Sequence, residues 1–389
     1  MTMPSTLDVS APPASTRWSP IVALAFGIGS LVAAEFLPAS VLPAMAADLG
    51  VTEGVAGLAV AATAIAGALT APSIAVLLPR ADRRTVLIGL MGIATVANLA
   101  VAVASDFAVL LLGRMLLGVA IAGFWSFAFV AGITAVPGRD HVVSSSIAFG
   151  VTVATIVGVP LASVAGDHID WRVVFAGAAA LSLVAAVTLA ATLPPLPAHP
   201  SAGFAMLRQA LSNRRLMTGV VAVVFVALGN MGAYPFIRLA IDEAAPGASP
   251  AGMLLAWGVG GMVGNLAAGR LSHRLGAVTT AAPLLLGGSL VMTALADTWA
   301  SLLVAIVIWG VAFNMVPVAT QLWVTRAEPE RAESALSLLV TAFQVAITLG
   351  AASGGVLVDG YGVTSALIAS AGFCAAAGLL FAAVGVPRT

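Results

Sequence analysis

The chain has 389 residues, of which 60% are hydrophobic and only 8% charged, with a mean hydropathy of +1.09; a soluble domain carries about 25% charged residues. Its 16 basic residues are all arginine and balance 16 acids, so net charge points to no nucleic-acid or acidic partner. The single cysteine, Cys374, excludes an intrachain disulfide and reads as a buried, inert thiol, and His141, His168, His199 and His273 fall in short polar connections without metal-ligand spacing. The composition is that of an integral membrane protein.

Taken in order, residues 1–19 read as a polar cytoplasmic tail, followed by an apolar run from Pro20. Arg17 before that run and Ala44-Met45-Ala46 near its end resemble a secretory signal with its cleavage site. The run nevertheless holds Glu35, Pro38 and Pro43 and is long enough to span a bilayer, which favours a first transmembrane helix. Spans of about 20 apolar residues suit a helix crossing roughly 30 Å of hydrocarbon. Twelve are marked off by polar turns, near 20–42, 54–78, 85–104, 107–131, 142–165, 173–193, 217–240, 252–269, 277–296, 299–321, 334–357 and 363–385. No run alternates as a barrel strand does, so an all-α membrane protein with twelve transmembrane helices is expected. Residues 194–216 form the longest connector, a cytoplasmic linker between a six-helix bundle over 20–193 and a second over 217–389.

Arginines set the orientation. With twelve spans both termini share one side, and that side receives Arg17, Arg80, Arg83, Arg84, Arg139, Arg208, Arg214, Arg215, Arg270, Arg274, Arg326, Arg331 and Arg388. Only Arg172 and Arg238 fall near the other face, so the termini are expected in the cytoplasm. The halves also repeat. A shift of 192 residues lays Gly118 on Gly310, Pro137 on Pro329, Arg139 on Arg331, Ser145 on Ser337, Gly158 on Gly350 and Asp167 on Asp359, without a gap. Six spans per copy give both copies the same topology, a parallel pseudo-repeat about an axis along the membrane normal.

Such a pair of bundles predicts a transporter with a site near the membrane midplane. Glu35 lies about 15 residues, or roughly 22 Å, from the cytoplasmic end of its span, and Arg114 about 7 residues, or roughly 10 Å, from the opposite end of another. The two charges therefore sit at similar depth. An ionisable group there is costly and faces a partner or an aqueous cavity, so Glu35 is a candidate proton carrier with Arg114 as its partner. The alternatives are a static Glu35–Arg114 pair, Glu35 bonded to backbone freed by Pro38, Arg114 clamping carbonyls at helix bends, and Arg114 snorkelling to the surface. Substrate candidates are amides and aromatics inside spans, led by Asn314, Gln344, Trp125 and Phe236, with Phe124, Asn230, Asn265, Trp257, Trp309 and Gln321 behind them, against the alternative that they pack or bond neighbouring helices or anchor at the interface. Gly150, Gly158, Gly260 and Gly264 read as close-packing positions. Because Glu35 is the only acid well inside a span, paired catalytic carboxylates are missing and an enzyme is not expected.

Several motifs carry a family likeness. Gly113-Arg114-Met115-Leu116-Leu117-Gly118 resembles the fourth-helix arginine motif of the major facilitator superfamily, in its twelve-helix drug:proton antiporter branch. Gly150 through Gly158-Val159-Pro160 resembles that branch's fifth-helix antiporter motif, with Val159 intervening in the usual Gly-Pro pair. The loop motif between the second and third spans keeps Arg80, Asp82, Arg83 and Arg84 but has Pro79 where the family has aspartate, while the second copy, Gly269 through Arg274 to Gly276, is closer to pattern. Glu35-Phe36-Leu37-Pro38, Gly123-Phe124-Trp125 and the run from Trp309 to Arg326 are most similar to bacterial purine ribonucleoside efflux pumps. The resemblance implies a monomeric inner-membrane antiporter that exchanges a purine nucleoside or related solute for a proton. It implies no cofactor beyond the proton gradient, and gives Glu35 the protonatable role and Gln344 and Asn314 a place in the cavity. Multidrug export, of phenicols for example, or sugar export is the alternative within the same superfamily.

Overall fold

A computed structural model describes residues 18–78, 80–137, 140–197, 212–328 and 332–386. The predicted tail over 1–17, linker residues 198–211, and the motif and repeat residues Pro79, Arg139, Pro329 and Arg331 lie outside them, as do the side chains of Ser145 and Ser337. Among the described residues, twelve helices are long and apolar enough to cross a membrane, matching the expected spans in number and order.

The first half comprises α1 (Trp18–Leu49), α2 (Glu53–Ala56 continued by Leu58–Leu77), α3 (Arg83–Ala102), α4 (Phe107–Ala135), α5 (Asp140–Val153, a π-helical turn Ala154–Gly158, then Val159–His168) and α6 (Trp171–Thr192). The second comprises α7 (Arg214–Ala233, a 3-10 turn Tyr234–Phe236, then Ile237–Ala244), α8 (Pro250–Arg270), α9 (Leu275–Ala294), α10 (Trp299–Ala327), α11 (Ala332–Tyr361) and α12 (Val363–Val384). Starts are capped by side chains that accept from the first free amides, as Asp82 does for Thr85 at 3.1 Å and Asp106 for Val109 at 3.0 Å. Thr298 and Ser301 form a reciprocal capping box at the start of α10.

Besides the step at Gly57 between the two pieces of α2, three spans differ from the expected helices, each at a proline. Helix α1 runs on to Leu49 instead of stopping near residue 42, passing through Pro38 and Pro43. The 217–240 span is broken at Tyr234–Phe236, where Pro235 cannot donate to the ladder. In α5 the Val159 amide reaches back five residues to the Ala154 carbonyl, a widened turn just before Pro160.

The repeat is visible in the packing. In the first half α2 packs on α4, α3 on α6 and α1 on α5; in the second α8 packs on α10, α9 on α12 and α7 on α11. Gly118 and Gly310 illustrate it. A Cβ on Gly118 would collide with the Thr63 carbonyl of α2, and one on Gly310 with the Trp257 carbonyl of α8. Equivalent glycines thus bring equivalent helices to backbone contact, the arrangement that small residues permit between membrane helices. Gly260 and Gly264 do the same against Val307 and Val311, which agrees with their reading as close-packing positions. The halves meet along two related seams, α2 against α11 and the π turn and end of α5 against α8.

Candidate functional site

Pro38 shapes the site first. Lacking an N–H, it leaves the Ala34 carbonyl, four residues earlier, without its helical partner. Arg114 of α4 supplies that partner: its Nη1 donates to Ala34 O at 2.8 Å, its Nη2 to Glu35 O at 2.9 Å, and its Nε to Ala59 O of α2 at 3.0 Å. Arg114 is 0% exposed, so it does not snorkel. Of the readings left open by the sequence, the geometry shows the carbonyl clamp: the guanidinium bonds the main chain at Ala34, Glu35 and Ala59, and no Glu35–Arg114 ion pair is present among the described residues. The Glu35 carboxylate is half-buried and has no hydrogen-bond or ion-pair partner among the described residues.

The substrate candidates separate by environment. Phe124 is 0% exposed and packs on Gly27 of α1, and Phe236 is 0% exposed and packs on Gly57 of α2, so neither lines an open cavity in this state. Asn230 is also fully buried; its Oδ1 accepts from Trp309 Nε1 at 2.8 Å. Asn314 is half-buried over Gly261, its Nδ2 donating to Gly310 O at 3.1 Å. Gln344 of α11 is half-buried and lies over Gly67 of α2, across the seam between the halves. Trp125 is 44% exposed. It stands eleven residues beyond Arg114, about 20° round the helix, hence on the face that α4 turns toward α1 and α2.

Ring contacts reveal a cluster that sequence reasoning did not assemble. Phe36 of α1 meets Tyr234 at a centroid distance of 5.2 Å and Trp257 at 6.4 Å. Tyr234 lies 4.8 Å from Trp257 and 6.4 Å from Trp309, and Trp257 stacks on Phe313 at 6.2 Å. Trp257 and Trp309 are candidates by sequence, but nothing in the sequence shows that these rings converge, since they come from four helices.

Among the described residues, the hydrogen bonds that cross between the halves lie on the face opposite the termini. Arg238 of α7 donates to Ser40 O at 2.9 Å and to Ser163 Oγ at 3.3 Å, pairs with Asp167 of α5, and lies 3.7 Å from Asp242. Asp359 of α11 accepts from Thr52 Oγ1 at 2.6 Å and from Gly54 N at 2.9 Å. Asp167 and Asp359 are repeat partners, so the duplicated acid performs the same cross-half task twice. In the sequence Arg238 bears only on topology, and its isolation on the arginine-poor face is the one signal of its role.

The antiporter-motif residues pack α5 on α1 within the first half, and the π turn between them meets α8 of the second. Gly150 packs against the Ala25 carbonyl of α1, Gly158 against Ala33, and Gly258 of α8 leaves room for the backbone at Thr155 and Ile156 in the π turn. Pro160 follows that turn, and Ser40 donates to Val159 O at 3.2 Å. The first loop motif stays within its own half. Asp82 accepts from Leu196 N at 2.7 Å, Arg83 donates to Leu78 O at 2.8 Å and lies 4.3 Å over the Phe127 ring, and Arg84 donates to Ala190 O at 2.6 Å. These bonds tie the chain after α6 to the start of α3. Arg80 and Arg274 are exposed, and Gly269 has open space around it.

Two six-helix halves, a kinked first helix clamped by a buried arginine, and seams between the halves define a membrane transporter of alternating-access architecture. The chain belongs to the Major Facilitator Superfamily, whose profile matches residues 24–327 and 219–389. It is similar to the purine ribonucleoside efflux pump NepI of Salmonella typhimurium, with 34% identity over 376 residues covering 95% of this chain and 94% of that one. The Salmonella typhi pump of the same name matches equally. Among solved structures, a bacterial homologue of the human lysosomal transporter Spinster, inward-facing and occupied, superposes with a TM-score of 0.76 at 16% identity, covering 96% of this chain and 97% of that one. A variant of the nucleoside transporter NupG gives 0.77 at 15% identity, covering 94% and 98%. The protein is thus a multi-pass membrane transporter of small molecules and not an enzyme.

Proposed function

We propose that the protein exports purine nucleosides or closely related solutes across the bacterial cytoplasmic membrane, as a monomer with both termini in the cytoplasm, in exchange for an incoming proton carried by Glu35. The observation that carries the proton role is the Glu35 carboxylate itself. It is an acid deep in a span, half-buried, with no ion-pair or hydrogen-bond partner among the described residues. Arg114 holds the helix around it while leaving its oxygens free. A buried carboxylate kept free of a fixed partner is able to gain and lose a proton as the cavity opens to one side and then the other. Open to the outside, it takes a proton; open to the cytoplasm, it releases the proton as substrate enters. The similarity to efflux pumps named for purine ribonucleosides supports the substrate class.

Purified protein in proteoliposomes, assayed with inosine, guanosine, a phenicol and a sugar with and without a pH gradient, tests both parts. Gradient-driven, uphill movement of inosine is expected for the native protein, and Glu35→Gln should abolish that accumulation. Uphill inosine transport by the Glu35→Gln protein would overturn the carrier role, and phenicol or sugar transport without nucleoside transport would overturn the substrate class.

A further inference from the structure

The aromatic cluster contains a chemical oddity that packing does not explain. Three of its polar atoms are buried without a hydrogen-bond partner among the described residues: Asn230 Nδ2, the Tyr234 hydroxyl and Trp257 Nε1. The amide orientation at Asn230 follows from its neighbour, because Trp309 Nε1 can only donate and therefore faces Asn230 Oδ1, leaving Nδ2 as the free donor. A buried donor without an acceptor is costly, whereas phenylalanine at 234 or 257 would fill much the same space without that cost. All three atoms belong to the second half, on α7 and α8.

One ring in the cluster comes from the first half. Phe36 presents its edge to Tyr234, at an interplanar angle of 80°, and also meets Trp257. It offers an aromatic surface and no acceptor. It directly follows Glu35, on the segment of α1 that Pro38 bends and Arg114 holds, and α1 meets the 3-10 turn of α7 across the boundary between the halves. Separation of the halves on this face would withdraw Phe36 from the Tyr234 and Trp257 rings that it meets.

We propose that Asn230, Tyr234 and Trp257 form the subsite for the substrate's heteroaromatic ring in the state open on the face opposite the termini, and that Phe36 occupies it in the state described here. Flat stacking faces beside several hydrogen-bond donors suit a ring bearing acceptors, such as a purine with its ring nitrogens and exocyclic oxygen. Phe36 covers the rings without stacking on them and bonds none of the donors, so it holds the site closed and yields to a ligand that does both. Because Phe36 and Glu35 are consecutive, the movement that empties the subsite also moves the carboxylate. This assignment rests on the nucleoside reading above and adds the residues that recognise the base.

Tyr234→Phe and Trp257→Phe each delete one unpartnered donor and keep a ring. Full-length native and variant proteins are compared in proteoliposomes for inosine transport, with melting temperature in detergent measured on the same preparations. The expected result is a KM for inosine raised roughly five- to tenfold in each variant, with a melting temperature unchanged or higher. A purely structural cluster gives the opposite pattern: removal of an unpaired buried donor leaves KM at the native value. Native inosine transport with native KM in both variants overturns the subsite and leaves the nucleoside reading standing. Absence of inosine transport by the native protein overturns both.

Discussion

Arg114 shows how one side chain can be spent on backbone. Its three donors serve Ala34 O, Glu35 O and Ala59 O, so it joins α4 to α1 and α2 at the depth where α1 is bent. Lysine at this position keeps the charge but cannot present three donors in a planar fork. Arg114→Lys is expected to destabilise the protein by about 2–4 kcal/mol, since hydrogen bonds to charged groups contribute about 1.5–3 kcal/mol each and one or two are lost. The measurement is a lowered melting temperature in detergent; an unchanged one would show that the clamp carries little stability. Both Glu35 and Arg114 were legible as outliers because charge is rare in apolar spans. Their relation was not: depth along the sequence placed them level, but whether carboxylate or carbonyl meets the guanidinium depends on how α1 is rotated and bent.

At the scale of elements, glycine sets how closely helices approach. Gly118 and Gly310 occupy the same place in the two halves, each lying against a carbonyl of the partner helix. A side chain there must push backbone, which cannot move aside as a flexible side chain would. Gly118→Leu and Gly310→Leu are each expected to cost about 1–3 kcal/mol or more through overpacking, with a reduced melting temperature and reduced yield of folded protein. Similar losses from both are expected if the halves are equivalent. Leucine at Gly288, where an added Cβ meets open space, serves as the tolerated control. The same scale explains the altered spans. Proline removes a donor at Pro38, Pro160 and Pro235, and the chain answers differently each time: a borrowed arginine, a widened π turn, and a 3-10 break. Sequence marks where the ladder is interrupted, while neighbouring helices select the repair.

Across the whole molecule, the cross-half bonds cluster on the face opposite the termini, with Arg238 and Asp359 as their centres. Arg238 is mostly sheltered, its side chain 14% exposed against 31% for Asp167. Arg238→Gln removes the ion pair and the carbonyl bond to Ser40 together. The expected effect is about 1–2 kcal/mol in favour of the state open on this face, roughly a 5- to 30-fold change in the ratio of states. Spin labels at Ile169 and Tyr361, exposed at the ends of α5 and α11, read this as a population of longer distances. Cys374 is buried, so the native thiol lies out of reach of the label. An unchanged distance distribution would show that the seam is held by packing at Gly54, Gly355 and Gly258.

Number and order of spans, the division into similar halves, and the positions of Glu35 and Arg114 were determined by the sequence itself. These depend on local sums: a run of apolar residues long enough for hydrocarbon, a charge that interrupts it, a motif that recurs at fixed spacing. Tertiary structure alone decided which carbonyls Arg114 serves, that Phe124 and Phe236 are packed against glycines, and that Phe36, Tyr234, Trp257 and Trp309 share one cluster. The repeat had already paired Asp167 with Asp359, but not with the opposite half. The physical reason is that helices in a bilayer are hydrophobic on nearly every side, so the usual apolar stripe that reveals a helix's inward face is weak. Which side chains meet is then set by helix rotation, kinks and close approach at glycine, all of which arise only when the twelve helices pack.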